Sequence, residues 1–356
     1  MSVKPGEIST KPGTIYFIRE RDFITNDVSP FVKIGLTALD RSAVERKDDL
    51  KTGNPRELFV HHEVQVPCVS AVETALRYEF ILQNVNLEWH YFGTNSKRRL
   101  EEAISYCEAL GKTFAGYSDV IDEARRLNDV PSNENLIART AESDHWWRQY
   151  LIHHHVTSIV KVAKLARAEE AKELVSRGFD APTGVLVGTQ TRPSFDEDGF
   201  KAKYPSIYEQ HVVRKFKATF NSKGKLTVDE LNAVELVSSA RNAYDAYVAS
   251  ANHTESNDAY SSSHRKFLTL QQLTKFSEVE KEVAKSHLKV LCGEAGGIEG
   301  TCTWQRGPGS PKLDITSLRT AHGDLVAEFT TEVQVQVART QKGAGGLAGD
   351  DEVDNS

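Results

Sequence analysis

Gly13-Thr14-Ile15-Tyr16-Phe17-Ile18 and, further on, Phe31-Val32-Lys33-Ile34-Gly35-Leu36 are the two strings on which the fold turns. Each is a short, apolar, β-favouring run, and Asp27, Ser29 and Pro30 mark a turn-rich connection between them. The pair therefore reads as two neighbouring strands. Arg46 then heads a charged helical segment that stops at Thr52-Gly53-Asn54-Pro55, where a glycine and a proline both break a helix. A third strand is predicted over 57–66, and Pro67 and Ser70 lead into a helix predicted over 71–82. Val72 and Leu76 line one side of that helix while Glu73 and Arg77 share another. On these bounds Glu73 falls in the first turn, where the helix dipole favours a carboxylate. Trp89 to Phe92 closes the unit.

The whole chain has 356 residues and a net charge of −6, long enough for two or three domains and too acidic for a coat that wraps nucleic acid along its length. The acidity is uneven. Residues 1–100 carry a net charge of +1 and the remainder −7, part of it in the tail at Asp350, Asp351, Glu352 and Asp354. Cys68, Cys107, Cys292 and Cys302 follow no close metal-ligand spacing, which predicts reduced thiols in a cytoplasmic protein. Lys4, Pro5 and Gly6 stand without an apolar run, so neither a signal peptide nor a membrane span is expected.

Beyond Phe92 the pattern turns helical, over 97–110, 118–127 and 145–176, the last expected to break near His153-His154-His155. Successive side chains on a helix point about 100° apart, so these histidines read as a polar patch, not as ligands of one ion. Trp146 and Trp147 read as anchors of a helix interface or a domain junction. Helices follow over 227–251 and 269–291, separated by a Ser, Asn and Asp-rich linker over 252–263. Residues 1–12 read as a loose arm, Val333, Val335 and Val337 alternate as in a strand, and the Gly and Asp-rich end after Thr340 reads as a flexible tail.

Two late segments overlay without a gap. Phe195-Asp196, Phe200, Tyr204-Pro205 and Ile207 fall on Leu313-Asp314, Leu318, His322-Gly323 and Leu325. Each follows a charged helix, which predicts a small unit of helix, turn, Asp-capped helix and strand occurring twice.

The N-terminal order of features resembles the GIY-YIG endonuclease superfamily, and within it the phage-associated branch whose second string reads Lys-Ile-Gly. The resemblance covers roughly residues 13–95 and rests on Tyr16, Lys33-Ile34-Gly35, Arg46 before Thr52-Gly53-Asn54-Pro55, Glu73 with Leu76 and Phe80, and Glu88-Trp89 near Phe92. Thr14 interrupts the first string, and Lys33 stands where the family name has its second tyrosine. The segment from Ala284 through Gly300, Trp304 and Asp314 to Glu328 is similar to the C-terminal segment of YqaJ-type viral recombinase exonucleases. It lacks their Glu-x-Lys signature, since Glu332-Val333-Gln334 has no lysine, and so implies an accessory module.

The fold expected from these resemblances is α+β. It comprises a small three-stranded antiparallel GIY-YIG-like sheet flanked by helices, then a largely helical region and small α/β modules. The units are residues 1–95 (nuclease), 96–176 (helical connector), 177–251 and 264–340 (repeat-bearing modules) and 341–356 (acidic tail). The implied activity is metal-dependent hydrolysis of DNA phosphodiesters, in phage, prophage or anti-phage biology. Tyr16 would orient or deprotonate the attacking water, and Lys33 would lower the tyrosine pKa or contact the scissile phosphate. Arg46 would fork onto nonbridging oxygens, and Glu73 would hold one Mg²⁺ or Mn²⁺. Arg41 competes for the role of Arg46, and His61, His62 and His90 are auxiliary candidates. Without the resemblance, Tyr16 is a half-buried strand residue and Lys33 and Arg46 are solvated surface charges. The alternatives are a catalytically silent DNA-binding protein on the same surface and, given the acidic C-terminal two-thirds, a protein-interaction scaffold. Oligomeric state and DNA sequence preference are not written in the chain.

Overall fold

A computed structural model describes residues 8–50, 56–86, 88–181, 184–251, 257–341 and 348–352. The Thr52-Gly53-Asn54-Pro55 stop lies outside the described residues, as do residues 252–256 of the expected linker.

The N-terminal sheet is built by β1 (Gly13–Arg21), β2 (Val28–Ala38) and β3 (Glu57–Val66), with α1 (Ala43–Asp49) between the last two. α2 (Val69–Glu79) follows, then the short strands β4 (Asn84–Asn86) and β5 (Trp89–Tyr91). The strand order is β3-β1-β2-β5-β4, and every pairing is antiparallel. The sheet thus has five strands, not the three expected from the sequence. The two extra strands are three residues each, too short to display an alternating pattern, and β5 is recruited by the free edge of β2, where Lys33 lies opposite Trp89.

Alternation along β1 divides the sheet into two faces. Ile15 and Phe17 point into a large core with Val32, Ile34, Val72 and Leu76, while Tyr16 and Ile18 point the other way, onto Ala43 of α1, Leu58 and Trp89. The large core does not end with the sheet. It takes in Leu100, Cys107 and Phe114 of α3 (Ser96–Ala115), Ile121 of α4 (Ser118–Leu127), and two valines much later in the chain, Val279 and Val283. Residues 8–12, expected as a loose arm, are held: Ile8 is buried, and Arg125 donates to its carbonyl at 2.6 Å.

After β6 (Leu136–Ile137) comes α5 (Ala141–Ser176), a single 36-residue helix that runs through the three histidines without a break. No glycine or proline interrupts it, and a Thr140/Ser143 capping box fixes its start. The histidines indeed diverge: His154 stacks on Tyr150 and His155 meets Arg241 at 3.2 Å. Trp146 stacks on His287 at 3.6 Å, and Trp147 donates its indole N–H to the Lys223 carbonyl at 2.8 Å.

The remainder comprises β7 (Val185–Phe195), α6 (Glu197–Lys203), α7 (Pro205–Gln210), β8 (Val212–Val213), β9 (Phe216–Ser222), α8 (Val228–Asn232) and α9 (Glu235–Ala251). It continues with α10 (Asn257–Cys292), β10 (Gly297–Ile298), β11 (Cys302–Pro308), β12 (Lys312–Leu313), α11 (Ile315–Ala321), α12 (Gly323–Glu328), β13 (Thr330–Gln341) and β14 (Ala348–Glu352). α10 begins inside the expected linker and, like α5, is 36 residues long. β14, in the tail expected to be flexible, pairs with β13, supplying partners to an edge that would otherwise be unpaired.

The two overlaid segments are related by an approximate dyad. Asp196 caps α6 by accepting from the Gly199 amide, and Asp314 caps α11 by accepting from the Ser317 amide. The Asp196 amide donates to the Phe329 carbonyl at 2.8 Å, and its counterpart, Asp314, donates to His211, the counterpart of Phe329, at 2.9 Å. Phe200 and Tyr208 share one buried cluster with their own counterparts, Leu318 and Val326. The strands are exchanged between the copies: β7 of the first pairs with β13 of the second, and β12 of the second pairs with β8 of the first.

Candidate active site

Three of the candidate residues, Tyr16, Lys33 and Arg46, belong to the face of the sheet opposite the large core. Tyr16 and Gly35 are cross-strand partners, and the phenol lies across the glycine so closely that a Cβ there would fall 2.5 Å from the tyrosine oxygen. Lys33 is two residues along β2, opposite Ile18, and so emerges on the same face. α1 crosses this face, started by a Ser42/Glu45 capping box, and brings Arg46 to the phenol. The guanidinium donates a hydrogen bond to the Tyr16 oxygen. Arg41, the competitor for this place, pairs instead with Asp49.

Glu73 comes from α2, whose Val72 and Leu76 pack on the opposite face of the sheet, and it is the smallest of the charge influences on the Tyr16 phenol. Its carboxylate is buried and lies 3.8 Å from Arg77, and its charge is felt at the Tyr16 phenol. It stands in the second turn of the helix, not the first, because α2 starts two residues before the predicted bound. The helix dipole therefore contributes less at Glu73 than the sequence implied, since that effect fades beyond the first turn.

Each cation faces a carboxylate. Lys33 is paired with Glu88 and approaches the Trp89 ring at 6.0 Å, while Arg46 lies 3.6 Å from Asp49. The sequence named Glu88 with Trp89 only as a feature of the resemblance and gave it no part in the site; it meets Lys33 because β5 joins the edge of β2. The Tyr16 pKa is raised by burial and by Glu88, and the hydrogen bond from Arg46 offsets this only in part. The phenol is therefore neutral near pH 7, and its neighbouring cation is Arg46, where Lys33 was expected. Tyr16 is suited to orient a water or a phosphate oxygen through its O–H, and poorly suited to deprotonate one.

His90 is buried against Val32, with Nδ1 3.1 Å from the Glu88 carbonyl and Nε2 3.5 Å from the Asn84 amide. Burial pushes its pKa down to about 4, so it is a neutral structural group. The β1–β3 register shifts between Phe17 and Ile18, so the expected alternation of His61 and His62 lapses at this bulge: His62 meets Phe17 on the large-core side, and His61 lies against Phe59, the cross-strand partner of Arg19.

Among the described residues no group of three or more His, Cys, Asp or Glu side chains is placed to hold a metal ion. The four cysteines are buried and free. No helix among the described residues is long and apolar enough to cross a membrane. No protein-family model, curated protein or solved structure matches the chain.

Proposed function

We propose that the chain is a metal-dependent endonuclease that hydrolyses phosphodiester bonds in DNA, with the N-terminal sheet as its cutting unit. The observation that carries this is convergence: Tyr16, Lys33 and Arg46 share one face of the sheet, and the charge of Glu73, from α2, reaches the same phenol. Phosphoryl transfer needs positioning and charge stabilisation more than covalent chemistry from the protein. Arg46 supplies planar donors for nonbridging oxygens, and Lys33 supplies a point charge for the phosphate. Those two cations pair with Asp49 and Glu88, carboxylates with which a phosphate would compete. Tyr16, neutral and fixed by Arg46, presents its O–H to the attacking water or the phosphate.

Glu73 offers hard carboxylate oxygens, which suit Mg²⁺ or Mn²⁺, and Arg77 at 3.8 Å dilutes its charge. This donor set fits a weak single-carboxylate site completed by water and substrate oxygens. A divalent cation bound there supplies Lewis-acid stabilisation of the phosphoryl oxygens. The GIY-YIG resemblance of residues 13–95 supports the same assignment and, with it, an origin in phage, prophage or anti-phage biology.

A second reading, DNA binding without hydrolysis, is favoured by one observation: Tyr16 is buried and its phenol is held neutral. A plasmid-nicking assay with Mg²⁺ and Mn²⁺ separates the two. The endonuclease nicks, and Tyr16→Phe and Glu73→Gln each lower the rate about a hundredfold or more while remaining folded. Binding by the wild type with no nicking of duplex, branched or modified DNA would establish the silent alternative.

A further inference from the structure

The approximate dyad provides an internal comparison that neither copy offers alone. It relates two antiparallel strand pairs, here called ribbons, one made by β7 and β13 in a three-stranded sheet, the other by β8 and β9 with β11 and β12, where β9 and β11 belong to a four-stranded sheet. At corresponding places the second ribbon has Arg214, Lys215 and Lys217 where the first has Glu332, Val333 and Val335. The same architecture thus forms with and without the cations, so folding does not demand them. Between 212 and 222, and between 302 and 313, the second ribbon carries no Asp or Glu at all.

Its two faces differ. Phe220 and Trp304 are cross-strand partners packed inward on one core cluster, whereas Lys217, Thr219 and Asn221 alternate onto the opposite side. Opposite Lys217 stands Gly307, where a Cβ would meet nothing within 4 Å, so no side chain of the partner strand covers the lysine. Gln305, opposite Thr219, is exposed on this side, and so is Asn221. The Lys215 side chain is 78% exposed and comes within 3.9 Å of a carboxylate, Asp314; Arg214 and Lys217 have no ion pair among the described residues. β9 is an edge strand of its sheet, and Phe216 between the two lysines is 43% exposed. The outward side of the ribbon therefore combines Lys217, amide and hydroxyl donors, and an unobstructed partner strand, and the exposed Arg214 and Lys215 stand in the link just before β9, in a chain whose net charge is −6.

We infer that this ribbon, led by Arg214, Lys215 and Lys217, is a docking surface for the phosphate backbone of duplex DNA. Lysine and arginine meet phosphates with release of condensed counterions, and β9, as the edge strand of its sheet, leaves that flank open to a duplex. The choice of DNA among polyanions rests on the endonuclease reading; the presence of a polyanion-binding face rests on the ribbon alone. The N-terminal site would then cut a duplex that the C-terminal module holds.

The test is fluorescence anisotropy of a labelled duplex with the full chain, titrated over a range of salt with Ca²⁺ in place of Mg²⁺ and repeated with EDTA. The triple variant Arg214→Ala/Lys215→Ala/Lys217→Ala, shown to be folded by its thermal melt, is expected to weaken binding and reduce the log K against log salt slope by about 2 to 3. The charge-keeping variant Arg214→Lys/Lys215→Arg/Lys217→Arg is expected to retain the wild-type slope. Glu332→Ala/Val333→Ala/Val335→Ala on the corresponding ribbon is expected to leave it unchanged. An unchanged slope in the first variant overturns the assignment even if the wild type nicks DNA, as does loss of binding to anionic phospholipid vesicles without loss on DNA. Binding with the expected slope changes but without nicking supports the ribbon and refutes the endonuclease. A wild type that binds no DNA refutes both.

Discussion

Gly35 fixes how closely β2 can pass under the Tyr16 ring, and the site depends on that closeness. In Gly35→Ala the new Cβ would fall 2.5 Å from the phenol oxygen, so the ring must swing away from Arg46. Overpacking of this kind costs about 1–3 kcal/mol, and a chemical denaturation midpoint should fall accordingly, together with any nicking activity. Glu88 holds Lys33 in the absence of substrate, so Glu88→Gln should free the lysine and tighten DNA binding several-fold at low salt, with anisotropy as the readout. His90 gives a pH dependence whose sign is fixed. Its folded pKa, about 4, lies below the ordinary 6.5, so folding excludes a proton. The associated stability is full above the unfolded pKa and is lost as pH falls toward the folded one. Urea unfolding of His90→Gln should show an acid loss smaller than wild type by about 2 kcal/mol between about pH 7 and pH 4.5. That Tyr16 stands on a strand and Arg46 and Glu73 on helices was legible in the sequence. The Lys33–Glu88 pair was not, because it depends on two short strands whose pairing no local pattern announces.

Among elements, the duplicated unit is where the sequence was most informative and most incomplete. The gapless overlay of Asp196 on Asp314 located both helix caps, since a short acceptor before a helix is a local signal. The exchange of strands between the copies was invisible, because β7 finds its partner in β13, at the far end of the other copy. Asp196→Ala and Asp314→Ala should each cost about 1 kcal/mol, alike because the two caps are related by the dyad; equilibrium unfolding checks this. α5 was expected to break at its histidines, but histidine is an ordinary helix residue, and nothing in 141–176 is a glycine or a proline. α2 was predicted to start too late. Its N-cap, Cys68, adopts a left-handed backbone at φ +51° that no sequence rule favours for cysteine, and the shift moves Glu73 out of the first turn.

Across the whole molecule, the N-terminal sheet and the C-terminal half of the chain share interior. Val279 and Val283 of α10 belong to the cluster beneath β1 and β2, and Arg306, buried by stacking at 3.8 Å on Trp304, donates to the Leu127 carbonyl at the end of α4. Val283→Ala should therefore destabilise the N-terminal sheet by roughly 2 kcal/mol although it lies far along the chain, seen as a lowered denaturation midpoint for a probe such as Trp89. That coupling was not readable in advance, since helical periodicity tells which side of α10 is apolar and not which sheet covers it. The central claim is that Tyr16 and Glu73 act as one unit on a single phosphodiester, and single-turnover cleavage of a labelled duplex by Tyr16→Phe, Glu73→Gln and the double variant tests it most directly. Groups that work together are strongly non-additive, so the double variant is predicted to be no slower than the worse single one. Multiplying effects, or a wild type that cleaves no faster than Tyr16→Phe, would contradict it.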